Sequence, residues 1–312
     1  MNILVSAMAV MLAMSLSTTP RMGIVTGGAT GTYIKIGEDV RKIAEPSGIY
    51  LQVLESAGSI QNVFDVRKKR GVQLGIVQSD VLEYIRDISD DQELKVIATK
   101  LAAVYPLYKE EVHVLGDLSL KTLQDLQGKR VAIGPQRSGT YLTAKTIFFQ
   151  TGITPSKEVF LGGKEALDSL RKGEIDAMFY VAGAPATLFS ENTTVDDKFQ
   201  LIGLDDKALD SYLTAVIPAG TYKWQESEVR TVAVKAVLIT FSYAGEQCQN
   251  VAKVAKIIRE NKAWLDVNGH PKWREVNLDE KLPKWPQYEC VAAMQERAQQ
   301  PKPKGPDIKI VR

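Results

Sequence analysis

Two stretches of this chain place glycines, small hydroxyls and a tyrosine where a strand gives way to a helix. The first is Met22-Gly23-Ile24-Val25-Thr26-Gly27-Gly28-Ala29-Thr30-Gly31-Thr32-Tyr33. The second is Lys129-Arg130-Val131-Ala132-Ile133-Gly134-Pro135-Gln136-Arg137-Ser138-Gly139-Thr140-Tyr141. Each reads as a short apolar strand, a glycine-rich turn, and Gly-Thr-Tyr opening an amphipathic helix. The first N–H groups of a helix have no intrahelical partner and carry the positive end of its dipole, so such a turn favours an anion. Two of them predict two lobes, each bringing an anion-holding loop to one shared cleft.

Further loops of the same kind extend the candidate site. Thr26, Gly27, Gly28, Thr30, Gly31, Thr32 and Tyr33 form the first, and Ser56, Gly58, Ser59 and Asn62 the second. Gln78 and Asp80 form the third, and Ser138, Gly139 and Thr140 the fourth. All fall at strand-to-helix junctions, where open α/β sheets hold their ligands. The groups on offer are neutral hydroxyls, amides and backbone donors, with Tyr33 as a wall, which suits reversible capture better than bond breaking. Arg137 reads either as a bidentate contact to a carboxylate or as a solvated turn residue. Tyr33→Ala and Asn62→Ala are expected to weaken binding without unfolding the chain.

Catalytic chemistry finds little support. The two histidines, His113 and His270, lack zinc-ligand spacing. There is no Gly-x-Ser-x-Gly elbow and no Gly-x-Gly-x-x-Gly. Gly134 to Thr140 fails as a phosphate loop because no lysine precedes Thr140. His113 reads as a satisfied core or hinge residue. Asp80 and Lys145 are the nameable candidates for an enzyme on the same fold, and they read better as a helix cap and an exposed first-turn residue. No metal or cofactor is expected.

The elements that must position these loops alternate. Apolar strands near Ile49–Leu54, Leu74–Val77 and Ile175–Tyr180 are followed by helical faces such as Ile36, Val40, Ile43 and Ala44. Repeated strand–turn–helix units imply a mostly parallel sheet with helices on both faces. Gln200–Leu204 and Thr214–Ile217 read as further strands. Beyond Gly220 the chain looks helix-dominated, with Val229–Ile239 strongly apolar, and is expected to pack back on the first lobe.

The 312 residues are 45% hydrophobic and 24% charged, with a net charge of +2, enough for one large or two ordinary domains. The one dense basic run, Arg67-Lys68-Lys69-Arg70, ends a helix and reads as a solvated terminus, so no nucleic-acid partner is expected. Residues 1–19 carry no charged side chain, and Ile3–Leu16 has the length of a signal-peptide core. Residues 1–17 are therefore expected to be a signal peptide, giving a periplasmic, monomeric protein. Export would permit one disulfide between Cys248 and Cys290, with two separate buried thiols as the alternative.

The motifs in series resemble a known family, the TAXI-type solute receptors of TRAP transporters. They are Thr26–Tyr33, Ser56-Ala57-Gly58-Ser59-Ile60-Gln61-Asn62, Gly75-Ile76-Val77-Gln78-Ser79-Asp80, Leu123–Val131, Ser138-Gly139-Thr140, Gly173-Glu174-Ile175-Asp176-Ala177 and Ile217-Pro218-Ala219-Gly220-Thr221-Tyr222. The resemblance implies an α/β, two-lobed periplasmic-binding-protein fold, type II-like, with a double-crossover hinge. Lobe 1 would comprise 18–112 and 218–312 and lobe 2 113–217, with hinges at Glu111–Val114 and Thr214–Pro218. It also implies capture of a small organic anion, a glutamate-like amino acid or a dicarboxylate, and delivery to an ion-gradient-driven TRAP permease. A solute-binding input to a membrane sensor is the alternative. Two departures stand out: Glu110-Glu111-Val112-His113 follows the Val104–Lys109 stretch, and Ala29 stands where a polar or glycine residue is commoner in the family.

Overall fold

The computed structural model describes residues 21–282 and 285–299. The expected signal peptide lies outside the described residues. The strands are β1 (Arg21–Val25), β2 (Tyr50–Leu54), β3 (Leu74–Gln78), β4 (Leu101–Asp117), β5 (Arg130–Ala132), β6 (Lys157–Val159), β7 (Ala177–Ala182), β8 (Phe199–Leu201), β9 (Leu213–Ile217) and β10 (Val229–Phe241). The α-helices are α1 (Thr32–Ala44), α2 (Ser59–Lys68), α3 (Ser79–Asp87), α4 (Gln92–Ala98), α5 (Gly139–Thr151), α6 (Gly163–Arg171), α7 (Thr187–Asn192), α8 (Gly245–Glu260), α9 (Lys262–Asn268) and α10 (Glu289–Gln299).

The strands run β2-β1-β3-β10-β4-β7-β5-β6, with β8 added to β4 and β9 to β10. The outer strands are parallel: β2, β1 and β3 in the first lobe, and β7, β5 and β6 in the second. Each parallel triplet meets a long antiparallel strand, β10 for the first and β4 for the second. β4 and β10 also pair with each other and run through both lobes, giving a two-lobed, type II-like architecture. β10 corrects the helix-dominated expectation for the C-terminal third. Arg230-Thr231-Val232-Ala233-Val234-Lys235-Ala236-Val237-Leu238-Ile239-Thr240-Phe241 is rich in β-branched residues and almost wholly buried, as a central strand covered on both faces must be.

Each lobe is a sheet between helical layers. In the first, Ile36, Val40, Val251, Val254 and Ile258 pack on one face and Val63, Val66, Leu82 and Ile85 on the other. In the second, Ala144, Ile147 and Phe148 cover one face and Ala166, Leu167 and Leu170 the other. β4 bulges on either side of Pro106, where a residue without an N–H interrupts the ladder. Cys248 and Cys290 form a disulfide that fastens α10 to α8.

The chain changes lobe within its two long strands. Glu111 of β4 faces both Ala233 of β10 and Ala182 of β7. The second crossing corrects the expectation of Thr214–Pro218. That segment lies in β9, paired with Val229–Ala233, and Ile217, Tyr222 and Val232 pack in second-lobe clusters. The crossing falls later in β10, between Ala233 and Ala236, where pairing passes from β9 to β3. Glycine-rich turns hid this: the sequence punctuates at Pro218-Ala219-Gly220, but the chain turns there and returns to the same sheet edge.

Candidate functional site

Four helices begin around one cavity of about 350 Å³ between the lobes. α1 and α2 approach from the first lobe, α5 and α6 from the second. Their leading residues line it: Gly31 and Thr32, Gly58 and Ser59, Ser138 and Gly139, Gly162 and Gly163. Glycine stands at the N-cap of α1, α2 and α6, so no side chain caps those helices. Apart from Gln61 N of α2, which meets Arg137 O, their first N–H groups are open to a ligand. Only α5 is capped from within, Tyr141 N donating to Ser138 Oγ at 3.0 Å.

The opposite wall comes from the strands. Glu110 of β4 and Phe179, Tyr180 and Val181 of β7 reach the cavity there. Tyr33 Oη donates to Glu110 Oε2 at 2.6 Å. Burial, reinforced by the nearby Asp80 and Glu111 charges, holds the Glu110 carboxyl well above the usual carboxylate range. Burial likewise pushes the Tyr180 phenol up to about 12, and its hydroxyl lies 3.4 Å from Thr30 Oγ1 of the other lobe. The cavity is therefore bipolar, with backbone donors at the helix starts and a carboxyl with two phenols at the strand floor.

The lobes are shut on one another. Gln61 N donates to Arg137 O at 3.1 Å, and Thr32 Oγ1 donates to Gly183 O at 3.4 Å. Thr143 Oγ1 of α5 donates to Asp80 Oδ2 of α3 at 2.6 Å. Gly139 stands so close to Gln78 that a β-carbon would lie 2.0 Å from Gln78 Oε1.

Most residues singled out by sequence meet here: Gly27, Gly28, Thr30, Gly31, Thr32, Tyr33, Ser56, Gly58, Ser59, Gln78, Ser138, Gly139 and Thr140 all line the cavity. Four do not. Thr26 is buried, its hydroxyl donating to Leu54 O at 2.9 Å. Asn62 is buried beneath the loops: its amide donates to Thr26 O and Ile76 O, and its oxygen accepts from Ser56 Oγ at 2.6 Å. It therefore braces the first two loops rather than facing a ligand. Arg137 sets its guanidinium 5.7 Å from the centre of the Phe64 ring, with its backbone in the left-handed region at φ 68°. Asp80 lies on the wall of a different inter-lobe cavity. Lys145 also lies outside the ligand cavity, in an exposed pair with Glu158.

Sequence reading missed Glu110, Tyr180 and the Gly162-Gly163-Lys164 turn. The signal for Glu110 was present: two adjacent glutamates inside a long apolar run must be buried with partners or carry a function. Glu111 is the partnered one. Its carboxylate accepts from Lys272 Nζ at 2.7 Å and from Ala184 N at 2.6 Å. His113 is satisfied as expected, Nδ1 against Glu111 O at 2.9 Å and Nε2 against Tyr222 Oη at 2.8 Å. Among the described residues no group of three or more His, Cys, Asp or Glu is placed to hold a metal, and no helix is long and apolar enough to cross a membrane.

The model of the NMT1-like family matches residues 24–286, from within β1 to just short of α10. The chain belongs to the NMT1-like family. Solved structures share the architecture of this NMT1-like chain at low identity. The periplasmic binding protein BugD superposes with a TM-score of 0.55 at 13% identity, over 89% of this chain and 93% of that one. Tv2483, solved bound to L-arginine, gives 0.53 at 12% identity, over 84% and 94%. A histidine kinase sensor domain with similarity to periplasmic binding proteins gives 0.51 at 14% identity, over 83% and 98%. The NMT1-like chain thus has the periplasmic-binding-protein fold.

Proposed function

We propose that this NMT1-like protein is a periplasmic solute receptor of the TAXI type, capturing a small organic acid between its lobes for a TRAP-type permease. The observation that carries the reading is the convergence of four helix starts, two from each lobe, on one cavity between the lobes. A carboxylate seated there accepts hydrogen bonds from both lobes at once. That contact exists only when the lobes are shut, so the solute favours closure. The far end of the solute meets Glu110, Tyr33 and Tyr180. A glutamate-like amino acid offers an ammonium group to the Glu110 carboxylate, and a dicarboxylate accepts a hydrogen bond from the protonated carboxyl. The NMT1-like match and the shared fold of BugD support a binding role.

Mechanistically, the open receptor exposes the α1 and α2 starts. Solute docks there, and the second lobe swings on β4 and β10 to bring the α5 and α6 starts onto it. The permease reads the shut arrangement. The fold shared with a sensor domain supports one second reading, the same capture reported to a membrane sensor. A thermal-shift screen of the mature chain against amino acids, dicarboxylates, keto acids and sugars tests the proposal. Solute at 100 times its dissociation constant adds about 2.7 kcal/mol of stability. A shift confined to carboxylates supports the reading. Shifts with sugars alone, or with none of the four classes after refolding to strip co-purified solute, refute it.

A further inference from the structure

Asp80 stands at the seam between the lobes and outside the solute cavity. It is the second residue of α3, half-buried in the wall of an inter-lobe cavity of about 420 Å³. Its Oδ2 accepts from Thr143 Oγ1 of α5 at 2.6 Å, and its Oδ1 accepts from Val81 N at 2.9 Å. No Lys, Arg or His among the described residues forms an ion pair with it, whereas the buried Glu111 is paired with Lys272. The charged and titratable groups around it are mostly acidic. Glu83 lies on the same helix, Tyr212 comes from the second lobe, and Glu280 lines the same cavity. Lys235 of β10 is engaged by Glu280 at 2.7 Å. Glu110, across in the solute cavity, adds a further acidic group.

Closing the lobes therefore draws a carboxylate partly out of water, to half-buried, among acidic groups and without giving it a cation. We propose that Asp80 and Thr143 form a proton-operated latch, so that the receptor takes up a proton at Asp80 as it shuts on its solute. This rests on the reading of the protein as a receptor that opens and closes. Burial, opposed by the Thr143 and Val81 hydrogen bonds, raises the Asp80 carboxyl to about 6 in the shut state. Parted lobes return it to water and to its ordinary value near 3.8. The shut state binds the proton more tightly, so acidification favours closure. From those two values the closed-to-open ratio rises about ten-fold between pH 7.5 and pH 5.

The test needs no solute, which separates it from the test of the receptor reading. Arg70 and Glu191 are exposed, one on each lobe. Donor and acceptor dyes on Arg70→Cys and Glu191→Cys, with the native disulfide intact, report the lobe separation by energy transfer. The expected result is a closed fraction that rises as pH falls, with a midpoint between 3.8 and about 6. In Asp80→Asn it is flat with pH and matches the acidic wild-type value throughout. Thr143→Val, which removes a hydrogen bond that favours the ionised form, moves the midpoint to higher pH. A wild-type closed fraction that ignores pH, or an Asp80→Asn protein with the wild-type slope, overturns the latch. So does a Thr143→Val midpoint that stays in place, which keeps the test decisive if Asp80→Asn folds poorly.

Discussion

Gly139→Ala should separate closure from folding. Gly139 opens α5 in the second lobe with ordinary helical backbone, so alanine suits the local conformation. A β-carbon there would stand 2.0 Å from Gln78 Oε1 and 2.3 Å from its Cδ. Gln78 is only 3% exposed and has Thr143 3.3 Å from that oxygen, so its amide has little room to swing clear. Gln78 belongs to the first lobe, so the clash exists only when the lobes meet. Overpacking of this kind costs about 1–3 kcal/mol. Borne by the shut state alone, it weakens solute affinity by about 5- to 150-fold. Calorimetric titration with the solute found by the screen measures that loss, and melting of the solute-free protein provides the control. The melting temperature should move by less than the roughly 2–4 °C that 1 kcal/mol produces in a chain of this size. Unchanged affinity would refute the reasoning. So would a fall in solute-free stability as large as the affinity loss, because the Gln78–Gly139 contact would then belong to the fold and not to closure.

Asn62→Ala should lose about 1–3 kcal/mol of stability, since it removes the buried amide that bonds to Thr26 O, Ile76 O and Ser56 Oγ; urea unfolding measures it, and a stable variant with weakened binding would restore the ligand role expected from sequence. His113 is held down to about 4 by burial, while the unfolded chain protonates it near 6.5. The unfolded state therefore gains protons first, and stability should fall by roughly 3 kcal/mol as pH drops from 6.5 to 4; His113→Gln should lack that slope in unfolding titrations across the range. Lys272→Met leaves Glu111 buried without its cation and should cost about 3–5 kcal/mol in the same assay. Replacing Cys248 and Cys290 by serine opens a 42-residue loop and should cost about 4 kcal/mol in the chain-entropy picture, read as a lower melting temperature.

The first-lobe loops and the α5 start were legible in the sequence because their signal is local. Gly-Thr-Tyr after a short apolar strand fixes a turn and a helix start within a dozen residues, and those starts converge on the cavity. What escaped was decided at long range. β10 reads as an apolar run of either kind, and it is a strand because β3 and β4 offer it two open edges from distant parts of the chain. Glu110 and Tyr180 enter the site from mid-strand positions, where no turn marks them. Asn62 and Arg137 looked like ligand contacts because their types suit the task. Their side chains bond instead to the loops beneath and to a neighbouring ring.

The central place of β10 also governs the order in which the molecule can be made. β3 ends at residue 78 and β4 at 117, but the strand that joins them spans Val229–Phe241. Until those residues emerge, the first lobe has an uncovered edge at β3 and the second at β9. Both are templates for wrong pairing. Neither lobe can therefore lock before the last third of the chain is synthesised. The same wiring means that cutting the chain at the lobe boundary yields no independent half. Each half must receive its own copy of the β10 strand, fused beside β3 or β9, before it can fold alone.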